Sequence, residues 1–229
     1  MTKIKAVFFD IDDTLYNSTQ LAKMARKNSI KAMIDAGLPE KDESKVFEIL
    51  KKIIDKYGSN YPQHYDMLIK EIGGSWNPKI VASGVVAYEH TKIGYLTPFP
   101  KVIPTLLEFR KKYKLGIISN GLAIKQWEKL IGLGVHNLFD VVVTSEEEGY
   151  EKPDGRIFKQ GVKRIGLKPD ECLMVGDRLE IDIVGANEAG MHTALIQKKK
   201  RKKTTTKEVK PEFKIEDISE LIDVLEELG

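Results

Sequence analysis

An α/β fold is expected from the sequence: a parallel sheet layered between helices, with an all-helical insertion after the first strand. Three observations carry that expectation. From about residue 96 onward, short β-rich apolar runs alternate with stretches of helical periodicity, the pattern of a parallel α/β sheet. Residues 16–95 show helical periodicity alone, with no strand signal. The opening apolar run, Val7, Phe8 and Phe9, has the composition of a strand buried on both faces and ends in acids: VFFDIDDTLYN at 7–17 places Asp10, Asp12 and Asp13 together. Like charges so close repel, so a cation or a chemical task is implied at that strand end.

The elements follow in order. After the first strand, Ser18 is the expected N-cap for a helix through Leu21, Met24, Ala25 and Met33 that stops at Gly37. Val46, Ile49, Leu50, Ile53, Ile54 and Tyr57 mark a second helix ending at Gly58. Tyr65, Leu68, Ile69 and Ile72 mark a third, before Gly73 and Gly74. A fourth starts with Asn77 as cap and Pro78 at its first position. TPFPKVIP at 97–104 then punctuates the chain with three prolines. Strands are expected at LGIIS 115–119, VVVT 141–144, CLMV 172–175 and TALI 193–196, with a last one near Phe213–Ile215. Between them Ile124, Trp127, Leu130 and Ile131 share one helical face, and Ile157, Phe158 and Ile165 another; a helix with Ile218, Leu221, Ile222 and Leu225 closes the chain. The domain division is 1–15 with 96–229 as a three-layer Rossmann-like α/β/α core, and 16–95 as a helical cap.

Composition narrows the class. A hydrophobic share of 41% beside 31% charged residues describes a soluble globular protein. No apolar span approaches membrane length, and MTKIKAVFFD reaches acids too soon for a secretory signal, so the cytoplasm is the expected location. Cys172 is the only cysteine and sits in a strand-like run, so it is expected in the core. The net charge of +3 is local, since KKKRKK from Lys198 to Lys203 supplies six positive charges. Without aromatic or Arg-rich interleaving, that run reads as a solvated loop, and no nucleic-acid or membrane partner is expected. The four histidines are scattered without metal-ligand spacing, and Trp76, Tyr61, Tyr65 and Tyr88 are mostly packing residues of the helical block.

In doubly wound sheets ligands bind beyond the carboxyl ends of the strands. Four of these ends are polar in a related way: DIDDT at 10–14, SNG at 119–121, KPD at 152–154 and GDRLEID at 176–182. Together they offer carboxylates, a hydroxyl and an ammonium, a site for a phosphate and a divalent cation. The candidate ligands are oxygens, with no His or Cys cluster, which favours Mg2+ over zinc. These four motifs, in this order, resemble those of the haloacid dehalogenase superfamily of hydrolases, and the helical insertion resembles its all-helical cap. More narrowly, the chain resembles the archaeal branch of these phosphatases for which glyceraldehyde 3-phosphate is the usual assigned substrate.

The resemblance implies roles. Asp10 would be the nucleophile, forming an aspartyl phosphate. Asp12 would exchange protons with the leaving oxygen and with water. Lys152 would neutralise the nucleophile and a phosphoryl oxygen. Ser119, with the backbone N–H of Asn120 or Gly121, would hold phosphate, and Thr14, counted with these phosphate-side residues, would brace the loop by hydrogen bonding. Mg2+ would sit on Asp10, the Asp12 carbonyl and Asp177, supported by Asp182. Asp13 reads as a turn or helix-capping residue. A phosphomutase and a non-catalytic phospho-acceptor module of the receiver kind are the alternatives. The expected partner is a small phosphorylated metabolite, and a homodimer through cap or core is the assembly the sequence leaves open.

Overall fold

A computed structural model describes residues 3–197 and 209–227. In chain order, β1 (Ala6–Phe9) leads into four helices, α1 (Ser18–Asp35), α2 (Glu43–Tyr57), α3 (His64–Glu71) and α4 (Pro78–Tyr95). Then come α5 (Val102–Phe109), β2 (Lys114–Ser119), α6 (Ala123–Gly132), β3 (Val141–Thr144), α7 (Ser145–Glu148) and α8 (Gly155–Ile165). The chain finishes with β4 (Cys172–Gly176), a π-helical turn (Leu179–Ile183), α9 (Val184–Glu188), β5 (His192–Ile196), β6 (Phe213–Ile215) and α10 (Leu221–Glu227). Two compact units result: Met1–Asn17 with Thr97–Gly229, and Ser18–Leu96. The basic run at 198–203 lies outside the described residues. Among those described, no helix is long and apolar enough to cross a membrane.

The first unit is built on a parallel six-stranded sheet in the order β3-β2-β1-β4-β5-β6. The order reverses direction at β1, so the crevice beside β1 and β4 is the topological switch point. All four β1 residues are buried, as expected of a central parallel strand covered on both faces. One face of the sheet packs Phe8, Ile118, Val143 and Met174 against Ile157, Phe158, Val162 and Ile165 of α8. Gly116 permits this, because a β-carbon there would drive into the Phe8 ring.

The second unit packs its own core from Ile30, Met33, Leu38, Val46, Leu50, Ile53, Leu68, Ile69 and Ile80. Gly84 lets α4 close on α1, since a β-carbon at that point would lie 2.8 Å from Met33. Asn77 caps α4 by accepting from Lys79 N at 2.9 Å, with Pro78 at the first helical position.

Several expectations shift. Ser18 is the first residue of α1 rather than the cap preceding it. The proline-rich segment is not only punctuation: α5 begins at Val102 and takes in Pro104, whose missing N–H falls in a first turn that has no intrahelical acceptor for it. On α6 the apolar face is not the inward one. Ile124 and Ile131 are 72% and 57% exposed, and the buried positions are Leu130 and the polar Gln126. Trp76 is not packed either; it is 63% exposed and donates to Asp66 Oδ1 at 2.7 Å.

Candidate active site

The site is assembled where β1, β2 and β4 end. Asp10 continues β1, its N–H donating to the Val175 carbonyl of β4 at 2.9 Å, and its carboxyl is buried. Lys152, only 3% exposed, reaches in from the loop after α7. Its ammonium donates to Asp10 Oδ1 at 2.7 Å, Asp182 Oδ1 at 2.7 Å and the Ile118 carbonyl at 2.9 Å. Three protons meet three acceptors, which is what permits a lysine to be buried. Burial alone would lower its pKa, but the facing Asp10 and Asp182 outweigh that and raise it, so the ammonium stays charged.

Asp182 is delivered by the π-helical turn, and its Oδ2 accepts from Arg178 N at 3.0 Å. Gly176 makes room, since any β-carbon there would collide with the Asp182 carboxylate. Asp177 is also buried, and Asp10, Asp177 and Asp182 offer oxygens that all lie within 4.8 Å of one another. The group holds three carboxylates, of which Asp10 and Asp182 bind the Lys152 ammonium. Burial, with Asp182 and Asp12 adding to it, pushes Asp10 up to about 7 against the opposing pull of Lys152. An all-oxygen group with surplus negative charge fits a hard divalent cation.

The SNG loop is tied to this cluster. The Asn120 side chain accepts from Lys152 N at 2.7 Å and donates to the Lys152 carbonyl at 3.0 Å. Ser119 is buried, with Oγ 3.4 Å from Gln126 Oε1. The Gly121 N–H donates to Ser145 Oγ at 2.9 Å, so of the two backbone donors expected to hold phosphate, this one is already engaged inside the protein. Asp12 belongs to a second group. Its carboxylate accepts from the Tyr16 hydroxyl at 2.7 Å and from Lys129 Nζ at 2.6 Å. Asp13 adopts φ +58°, the left-handed turn conformation that aspartate tolerates.

Thr14 departs from expectation. Its Oγ1 is buried and has no hydrogen-bond partner, so it does not brace the loop. A buried orphan hydroxyl costs about 1–3 kcal/mol unless something fills its bonding capacity. Tyr16, Gln126, Lys129 and Ser145 were not singled out from sequence. The available signal was position: α6 starts directly after SNG, so its first turns lie beside the strand ends.

Comparison with known proteins identifies the family. The family model of haloacid dehalogenase-like hydrolases matches residues 4–190. A relative from Methanopyrus kandleri named glyceraldehyde 3-phosphate phosphatase is 50% identical over 230 residues, 99% of each chain. One of the same name from Methanocaldococcus jannaschii is 46% identical over 226 residues, 98% of each. The solved structure of a HAD phosphatase from Thermococcus onnurineus superimposes with a TM-score of 0.69 at 26% identity, covering 97% of this chain and 98% of that one. With its motifs on the ends of a parallel sheet and the family model spanning most of its length, the chain belongs to the haloacid dehalogenase-like hydrolases.

Proposed function

We propose that the chain is a cytoplasmic phosphatase that hydrolyses a small phosphate monoester, glyceraldehyde 3-phosphate foremost, using Mg2+ and an aspartyl phosphate on Asp10. The observation that carries this reading is the buried Lys152 ammonium bridging Asp10 and Asp182, set beside the phosphatase name of relatives that align along nearly the whole chain.

An ionised carboxylate is a competent nucleophile for phosphorus when the charge around it is neutralised. Lys152 holds Asp10 Oδ1 and fixes the direction in which the carboxylate faces. Asp10 attacks phosphorus, the phosphorus–oxygen ester bond breaks, and the leaving oxygen takes a proton from Asp12. Asp12, now ionised, accepts a proton from water, whose oxygen attacks phosphorus and displaces Asp10 as inorganic phosphate departs. Ser119 and the backbone N–H of Asn120 are assigned to the phosphoryl oxygens, and the orphan Thr14 hydroxyl is a further donor to the same group. Asp10, Asp177 and the Asp12 carbonyl would hold Mg2+, with Asp182, whose oxygens already serve Lys152 and Arg178, behind them. When bound there, Mg2+ supplies the positive charge that lets a phosphate dianion approach an anionic nucleophile. The helical unit Ser18–Leu96 is assigned the part of a substrate-selecting cap.

The test is release of inorganic phosphate from glyceraldehyde 3-phosphate and from p-nitrophenyl phosphate, with Mg2+ and after EDTA. The expected result is turnover that chelation abolishes and that Asp10→Asn reduces by more than about 10^4-fold. Sustained hydrolysis by that variant, or transfer of the group to a second sugar phosphate in place of water, would overturn the proposal.

A further inference from the structure

The Asp12 carboxylate is held at both oxygens by groups outside the four strand-end motifs. Tyr16 Oη donates to Oδ1 at 2.7 Å and Lys129 Nζ to Oδ2 at 2.6 Å. Lys129 is itself pinned, because its ammonium also donates to Gln126 Oε1 at 3.1 Å, one turn back on α6. Gln126 Nε2 donates in turn to the Asn120 carbonyl at 3.0 Å, and Ser119 Oγ reaches Gln126 Oε1 at 3.4 Å. At 4% exposure Gln126 is deeper than glutamine usually lies. Its place depends on Gly121, at φ +127°, where a β-carbon would lie 2.5 Å from Nε2. A continuous chain of polar contacts therefore runs from the Ser119–Asn120 loop, through α6, to Asp12.

Stability does not account for this wiring. The Asp12 side chain is 41% exposed, and an ion pair open to water adds at most about 1 kcal/mol. Yet the Lys129 side chain is only 18% exposed and is fixed at two points. Proton transfer is sensitive to such fixing, because donor and acceptor must meet at hydrogen-bond distance.

We infer that Lys129 is a positioning residue for proton transfer by Asp12, with Gln126 anchoring it to the loop that carries Ser119 and Asn120; this rests on the phosphatase reading above. Lys129 acts through Asp12, so dependence on it scales with the leaving group's need for a proton. An alkyl phosphate must expel an alkoxide, whereas a dinitrophenyl phosphate expels a stabilised phenolate that leaves without one.

The experiment compares kcat/KM on glyceraldehyde 3-phosphate and on dinitrophenyl phosphate for the unaltered protein, Lys129→Met and Lys125→Met. Lys125 pairs with Glu128 at 2.9 Å on the exposed side of the same helix and serves as the control. Lys129→Met is expected to lose about 100-fold on the alkyl ester, the cost of a misplaced catalytic group, and under about threefold on the aryl ester, with Lys125→Met unchanged on both. Equal losses on the two esters, or no loss on the alkyl ester, overturn the inference while leaving the phosphatase reading intact. Unaltered protein that hydrolyses neither ester removes that reading, and this inference with it.

Discussion

Asn120 and Lys152 hold each other by two hydrogen bonds of opposite sense: the Asn120 side chain accepts from Lys152 N at 2.7 Å and donates to the Lys152 carbonyl at 3.0 Å. The loop after β2 thus sets the backbone from which the buried ammonium is launched. Asn120→Ala removes both bonds and leaves a part-buried peptide unpaired. A loss of about 2 kcal/mol in urea unfolding is expected. A fall of about 100-fold in kcat should accompany it as Lys152 loses its register. Unchanged kcat with lowered stability would make the contact purely structural.

The buried acid cluster makes the metal-free protein sensitive to pH in an unusual direction. Asp10, ordinarily near 3.8, is pushed up to about 7 by burial first, with Asp182 and Asp12 adding and Lys152 opposing. Between those values the folded state binds a proton that the unfolded chain has released. Stability in EDTA is therefore expected to fall as pH rises from 3.8 to about 7 through this group. Chemical denaturation across that range checks it: Asp10→Asn should flatten this component, and an unaltered slope would contradict it.

Gly176 bears on the proposed Mg2+ site through Asp182. Its missing side chain is the space in which the Asp182 carboxylate sits. Gly176→Ala should displace Asp182 and weaken Mg2+ binding by about 10- to 100-fold, measured by calorimetry. Binding equal to that of the unaltered protein would remove Asp182 from the metal's support.

Cys172 is buried in β4 and its thiol is pushed up to about 12, mainly by burial. The thiolate is the reactive form, so at pH 8 almost none is present. Alkylation by iodoacetamide, followed by mass spectrometry, should be negligible in folded protein and complete in denaturant. Rapid labelling without denaturant would contradict the placement.

Where hydrophobic periodicity and polar strand ends coincide, the architecture was legible from the residues: β1 with Asp10, β2 with Ser119 and β4 with Asp177 stand where their apolar runs stop. The helix α6 was harder, because its inward face carries Gln126 and Lys129 while Ile124 and Ile131 face water. A rule that puts apolar residues inside misorients a helix whose inner face is recruited to polar chemistry. The contact of Asp12 with Lys129 was invisible for another reason: Lys129 lies 117 residues from Asp12 along the chain, and only the pairing of β1 with β2 brings the segments that follow them together. The unpartnered Thr14 hydroxyl also escaped, since hydrogen-bond satisfaction is a property of coordinates rather than of residue type.

In the proposed mechanism phosphate passes through the Asp10 carboxylate. Borohydride added during turnover reduces an acyl phosphate to an alcohol, so peptide mass analysis should find residue 10 converted to homoserine in the presence of Mg2+ and substrate, and unconverted without substrate. Conversion confined to position 10 is the predicted result; continued phosphate release with residue 10 left as unmodified aspartate would contradict the account.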